Sequence, residues 1–253
     1  MRILARRNGI VKGKGKRAFT STEALYIKVF MFSRTKVLIF YAALFAAFVL
    51  PGGCRKQRPS KTIVCFGDSL TVCGEPDGRY SDWLAKWLPN DVIINKGINR
   101  DTLAGGRARF EQDVLALKPD IVIIELGAND FWQMKRDISQ LKADLEDMVA
   151  RAKQADIKVV IASCFGRRDY LAEEMVEFEP FRYGFADRIW QMEEEICKKY
   201  GCFYVPNMHV DIKPNGKEPY WADKLHPNKK GNKFVAKRIL AELKKALKAC
   251  AKK

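Results

Sequence analysis

Three short apolar runs, each followed within a few residues by glycine and a polar side chain, restrict this chain more than any other feature. Residues 63–66 (IVCF) lead into Gly67-Asp68-Ser69, residues 92–95 (VIIN) into Lys96-Gly97-Ile98-Asn99, and residues 121–126 (IVIIEL) into Gly127-Ala128-Asn129-Asp130. Short β-prone runs bounded by turn formers read as strands buried on both faces, the habit of a parallel sheet. Helical patterns lie between them, over residues 80–88, 102–117 and 138–155, stopped by turn residues such as Pro89-Asn90 and Lys118-Pro119-Asp120. Residues 157–162 predict a fourth strand and 202–205 a short fifth. Residues 185–200 predict a helix after an acidic stretch interrupted by Pro180, and 229–251 a closing helix with a lysine-rich exposed face. Alternation of this kind predicts an α/β domain with helices on both faces of the sheet. Ligands bind at the carboxyl ends of the strands in such sheets, so the three polar tips are expected to converge.

Ser69 is the first candidate nucleophile, although Asp68-Ser69 would serve equally as a helix N-cap. A serine hydroxyl needs a base within hydrogen-bond reach and a group that orients the base. The chain has two histidines, His209 and His226. His226 sits in Trp221-Ala222-Asp223-Lys224-Leu225-His226-Pro227, where a turn brings the Asp223 carboxylate to one ring nitrogen and leaves the other for Ser69. His209 has no such partner and reads as structural. An oxyanion needs donors, and three are in place: the Ser69 amide, the Gly97 amide and the Asn129 side chain. Gly97 qualifies because no side chain blocks close approach to its backbone. Each has a plainer alternative, Gly97 as a turn and Asn129 as a helix cap.

Together, Gly67-Asp68-Ser69-Leu70, Gly97, Gly127-Ala128-Asn129-Asp130 and Asp223-Lys224-Leu225-His226-Pro227 resemble the four blocks of the SGNH (GDSL) hydrolase family. Residues 95–106 (NKGINRDTLAGG) and 125–130 (ELGAND) are especially similar to the bacterial acyl-CoA thioesterase I/lysophospholipase L1-like esterases. The resemblance covers roughly residues 61–247 and implies a flavodoxin-like three-layer α/β/α sandwich with a five-stranded parallel sheet. It implies Ser69 as nucleophile, His226 as base, Asp223 as its partner, and Ser69, Gly97 and Asn129 as oxyanion donors. No metal or other cofactor is implied. Asp68, Phe131, Trp132, Tyr220 and Trp221 adjoin the blocks and are candidate pocket residues, the aromatics reading equally as core. Residues 165–181 depart from the family pattern and read as a lid or as a solvated loop.

The expected activity is that of a serine esterase acting on lipid, lysophospholipid or thioester acyl groups. The alternatives are a carbohydrate O-acetyl esterase, an acyltransferase of the cell envelope, and a glycan-binding protein without catalysis.

Charge qualifies the choice of partner. The net charge of +16 suggests nucleic acid, but residues 1–58 carry 13 Lys/Arg against Glu23 alone. The other 195 residues carry 33 Lys/Arg against 29 Asp/Glu, so the domain itself is only mildly basic and no nucleic-acid partner is expected. Residues 37–50 (VLIFYAALFAAFVL) form an apolar run too short for a permanent span, preceded by Arg34 and Lys36, which is a secretory signal pattern. Gly52-Gly53-Cys54 resembles a bacterial lipobox, with Pro51 standing where an aliphatic residue is usual. The expected organisation is a start at Met31, a signal over 31–53, a linker over 54–60 with a lipid anchor at Cys54, and the hydrolase domain over 61–250. The protein is then exported, to the periplasm or cell envelope, where it meets small-molecule or polysaccharide esters and touches the membrane through its signal or anchor. Seven cysteines show no C-x-x-C pair, which argues against zinc, while Cys197 and Cys202 flank a helix end and could bridge.

Overall fold

The computed structural model describes residues 58–133, 135–165, 180–212, 219–223 and 225–251. The expectations for the start, the signal, Cys54 and residues 166–179 fall outside these. Five strands, β1 (Thr62–Gly67), β2 (Val92–Gly97), β3 (Ile121–Glu125), β4 (Lys158–Ala162) and β5 (Phe203–Val205), form one parallel sheet in the order β2-β1-β3-β4-β5. Ile63 to Phe66 in β1 and Ile121 to Ile124 in β3 are almost wholly buried, as their unbroken apolar runs require.

Alternate residues go to opposite faces. Val64, Phe66, Val122, Ile124, Val159 and Ile161 meet α3 (Leu103–Asp113), α5 (Ile138–Gln154) and α6 (Pro180–Tyr200) through Phe110, Leu145, Met148, Ile189 and Ile196. Ile63, Cys65, Ile121, Ile123, Val160 and Val205 meet α2 (Tyr80–Trp87) and α7 (Lys229–Cys250) through Tyr80, Leu84, Val235, Ile239 and Leu243. Each such side chain contributes about 1.5–3 kcal/mol on burial. Two further helices are short, α1 (Ser69–Val72) and α4 (Ala128–Gln133).

Register decides where the site forms. Gly67 of β1 is level with Gly97 of β2 on one side and with Glu125 of β3 on the other. The three tips therefore leave the sheet at one height. Gly97 is required there, because a Cβ would lie 2.8 Å from Val72 Cγ2 and 2.9 Å from Thr71 Cγ2 of α1.

Two boundaries differ from the sequence reading. The helix over 102–117 is two pieces: α3 ends at Asp113, Val114 leaves helical geometry, and a 3-10 turn follows over Leu115–Leu117. Val114 is completely buried, so packing overrides local propensity. The helix expected from residue 185 begins at Pro180, since proline is tolerated in a first turn where its missing N–H loses no bond. On α7, seven lysines are exposed while Val235, Ile239, Leu243 and Leu247 face inward. Among the described residues no helix is long and apolar enough to cross a membrane. Cys197 and Cys202 are free thiols, with the Cys202 N–H donating to the Cys197 carbonyl at 3.0 Å.

Candidate active site

Residues 157 positions apart meet at the sheet edge: Ser69 Oγ lies 2.9 Å from His226 Nε2. On the other side of the ring, His226 Nδ1 is 2.8 Å from Asp223 Oδ2 and 3.1 Å from Oδ1. A carboxylate can only accept, so Nδ1 carries the proton and Nε2 is left to accept from the serine hydroxyl. Asp223 Oδ1 also accepts from the backbone N–H groups of Leu225 (2.7 Å) and His226 (2.8 Å). Partial burial alone would raise the Asp223 pKa, but these N–H groups and the imidazole outweigh it and hold the carboxyl below its ordinary value. Dyad and nucleophile thus form one continuous hydrogen-bonded chain.

The loop carrying His226 is fastened by asparagines. Asn228 Nδ2 donates to the carbonyls of Pro219 (2.9 Å) and Trp221 (3.3 Å), while its Oδ1 caps α7 through the N–H groups of Lys230 and Gly231. Asn232 Nδ2 bridges the carbonyls of Pro227 and Cys73, both at 3.0 Å, joining the histidine loop to the segment after α1. An asparagine directly before a lysine-rich amphipathic segment is a readable N-cap signal. Asn232 carries none.

The nucleophile side is held from below. Asp68 is fully buried, its Oδ1 accepting from the Leu70 N–H at 2.9 Å as the N-cap of α1 and its Oδ2 from Asn129 Nδ2 at 3.0 Å. The same Nδ2 donates to the Asp101 carbonyl at 2.9 Å, so both its protons are engaged before substrate arrives. The Gly97 N–H is engaged as well, donating to Asn95 Oδ1 at 2.9 Å. Burial pushes the Asp68 pKa up to about 6, against the N–H of Leu70. Arg109, which no sequence pattern flagged, donates to the carbonyls of Gly67 (3.0 Å) and Lys96 (2.9 Å) and pairs with Asp101, tying two strand tips together.

The candidate pocket residues divide between the two layers. Phe131 is 7% exposed and packs on Trp132 and Phe165, with ring centroids 5.1 and 5.3 Å apart, so it is mostly core. Tyr220 lies against Phe234, and Trp221 against His209 at 5.6 Å. Asp68 is buried among its hydrogen bonds. Among the described residues the buried His209 Nε2 has no hydrogen-bond partner, and desolvation pushes its pKa down to about 4. A separate cleft of about 490 Å³, lined by Arg107, Arg136, Asp144 and Arg151 among others, includes none of these residues.

The profile of the GDSL-like lipase/acylhydrolase family matches residues 65–234, two thirds of the chain, from β1 into α7. The chain belongs to this family. An acetylxylan esterase of Xylanibacter ruminicola is 31% identical over 212 residues, which is 72% of this chain but 43% of that enzyme's length. An acetylxylan esterase of Geobacillus stearothermophilus is 26% identical over 218 residues, 74% of this chain and 96% of the relative. The crystal structure of TesA covers 74% of this chain and 99% of its own at a TM-score of 0.62 and 23% identity, a likeness of fold. This GDSL-family chain is a hydrolase acting on ester bonds.

Proposed function

We propose that the protein is a serine esterase of the cell envelope whose substrates are short acyl esters of carbohydrate, O-acetyl groups on a polysaccharide such as xylan foremost. The observation that carries the mechanism is the chain Ser69 Oγ–His226 Nε2, His226 Nδ1–Asp223, at 2.9 and 2.8 Å. Ser69 Oγ attacks the ester carbonyl carbon as its proton passes to His226 Nε2. Asp223 steadies the imidazolium. The carbonyl oxygen becomes an oxyanion that the amides of Ser69, Gly97 and Asn129 receive, each such donor typically contributing about a hundred- to thousandfold in rate. Because Gly97 and Asn129 already donate to Asn95, Asp68 and Asp101, the oxyanion competes with oxygens in place. Collapse of the intermediate breaks the carbon–oxygen bond, and His226 returns the proton to the leaving alcohol. Water, deprotonated by His226, then attacks the acyl carbon, and the bond to Ser69 Oγ breaks as His226 returns that proton to the serine, releasing the acid.

The names of the two acetylxylan esterases support acetyl esters of polysaccharide ahead of the lipid esters that lead the sequence reading. Export and anchoring rest on the signal pattern of residues 31–53 and on Cys54. The test is a substrate panel run with the full chain: p-nitrophenyl acetate to palmitate, acetylated xylan and a lysophospholipid, beside Ser69→Ala. The expected result is acetate release from xylan and fastest turnover of acetyl esters, all lost in Ser69→Ala. Full activity in Ser69→Ala overturns the mechanism; turnover of long-chain or lysolipid esters alone overturns the substrate.

A further inference from the structure

Beneath the nucleophile lies a second carboxyl that the mechanism above does not use. Glu125 ends β3, level with Gly67, and is completely buried. Its Oε2 accepts from Thr71 Oγ1 at 2.9 Å, and Thr71 Oγ1 lies 3.1 Å from the Tyr80 hydroxyl. Among the described residues its Oε1 has no partner so long as the group is a carboxylate. Beside it is Asp68, equally buried, whose N–H donates to the Glu125 backbone carbonyl at 3.2 Å and whose carboxyl is close enough to push the Glu125 pKa up. Among the described residues neither carboxyl has an ion pair with lysine or arginine.

Two carboxylates in contact inside a protein cannot both ionise, so one proton is shared between them. The donors decide where it sits. Asp68 receives N–H groups from Leu70 and Asn129, which favour its charged form. Glu125 receives the Thr71 hydroxyl and a weaker pull from the Asp68 backbone N–H, and among the described residues its Oε1 has no partner. A proton on Oε1 gives that oxygen an acceptor in Asp68 and completes a one-way series: Tyr80 O–H to Thr71, Thr71 O–H to Glu125, Glu125 O–H to Asp68. The series ends on the oxygens that hold the amides on either side of Ser69. Burial and the charge on Asp68 push the Glu125 pKa strongly up, in keeping with this arrangement.

We infer that Glu125 is a positioning residue for the hydrolysis: as a neutral acid it donates to Asp68 and, through Asp68, fixes the Asn129 amide and the turn that carries Ser69. The inference rests on the esterase reading above. Were burial alone the purpose, an apolar side chain would fill the site at least as stably, since buried ionisable groups seldom add net stability.

The experiment compares Glu125→Gln, which keeps a donor toward Asp68 and an acceptor for Thr71, with Glu125→Leu, which keeps neither. Thermal melting and near-UV circular dichroism establish folding, and kcat and KM for p-nitrophenyl acetate are measured separately. Glu125→Gln is expected within about threefold of the wild-type kcat, and folded Glu125→Leu down about 30- to 100-fold in kcat with KM within about twofold, short of the full loss of one oxyanion donor because the Asn129 amide is misplaced and not removed. Folded Glu125→Leu with unchanged kcat, a loss confined to KM, or equal losses in both variants overturns the inference. Should Glu125→Leu not fold, the infrared difference spectrum between the wild type and Glu125→Gln at neutral pH decides. The difference must show a buried neutral carboxylic acid band lost with Glu125, beyond the one that buried Glu193 contributes to both proteins, and a difference without that loss overturns the inference. A wild type that hydrolyses no ester overturns the esterase reading and this inference with it. An active, Ser69-dependent wild type beside an unaffected Glu125→Leu overturns this inference alone.

Discussion

The two halves of the site use the same chemical group in opposite surroundings. On the nucleophile side, Asp68 is wholly buried and burial pushes its pKa up to about 6. On the base side, the Asp223 side chain is 58% exposed and its hydrogen bonds hold its pKa down. Asp68 is tied to three elements, α1, α4 and the end of β3, so it cannot change without disturbing the sheet edge. Asp223 bonds within its own turn, to Leu225 and His226, so it can change while the sheet stays intact. The nucleophile side is thus part of the fold, and the base side is hung upon it.

Substitutions can break this division. The largest effect is expected from His226→Ala, with kcat/KM for p-nitrophenyl acetate falling at least about a thousandfold and Tm within about 2 °C of wild type. A melt displaced as far as the activity would show that the base side is structural after all. Next comes the pair Asp68→Ala and Asp223→Ala. Asp68→Ala strands buried donors on Leu70, Asn129 and Glu125, so a loss of about 3 kcal/mol, or on the order of 10 °C in Tm, should accompany its loss of activity. Asp223→Ala should lower kcat about 10- to 1000-fold with little change in Tm. Equal melts for the two would erase the contrast.

The smallest effect sharpens it. His209 stays neutral in the fold to about pH 4 but takes up a proton on unfolding below about 6.5. Above pH 6.5 its burial carries no proton-linked cost, and stability falls as pH drops from there toward 4, by about 3 kcal/mol. Chemical denaturation across that range should show the slope in the wild type and a flatter one in His209→Gln. An unchanged slope would mean that His209 reaches water.

Much of the edge was legible because its signals are local. An apolar run ending in Gly-Asp-Ser, and Asp223 three residues before His226, announce themselves along the chain. Register made the tips level, which alternation of strands and helices could only suggest. What stayed hidden depends on partners distant in sequence. Glu125 is one acid in an apolar strand until Asp68 is set beside it, and Arg109 is an ordinary helix arginine until two strand carbonyls lie within its reach. Asn95 takes up the Gly97 N–H through a side-chain orientation that spacing does not encode. Val114 shows the same limit for secondary structure, since only the packed core explains why the helix stops before it.

The lysine side of α7 has a consequence for handling the protein. Seven exposed ammonium groups on one helix, whose only acid is Glu242 and whose Arg238 pairs with Asp211, gather positive charge on that side of the domain. Molecules settling on a negatively charged bead or sensor chip will tend to arrive the same way round, lysines down, so that salt releases them together and the layer presents one aspect of the molecule to solution.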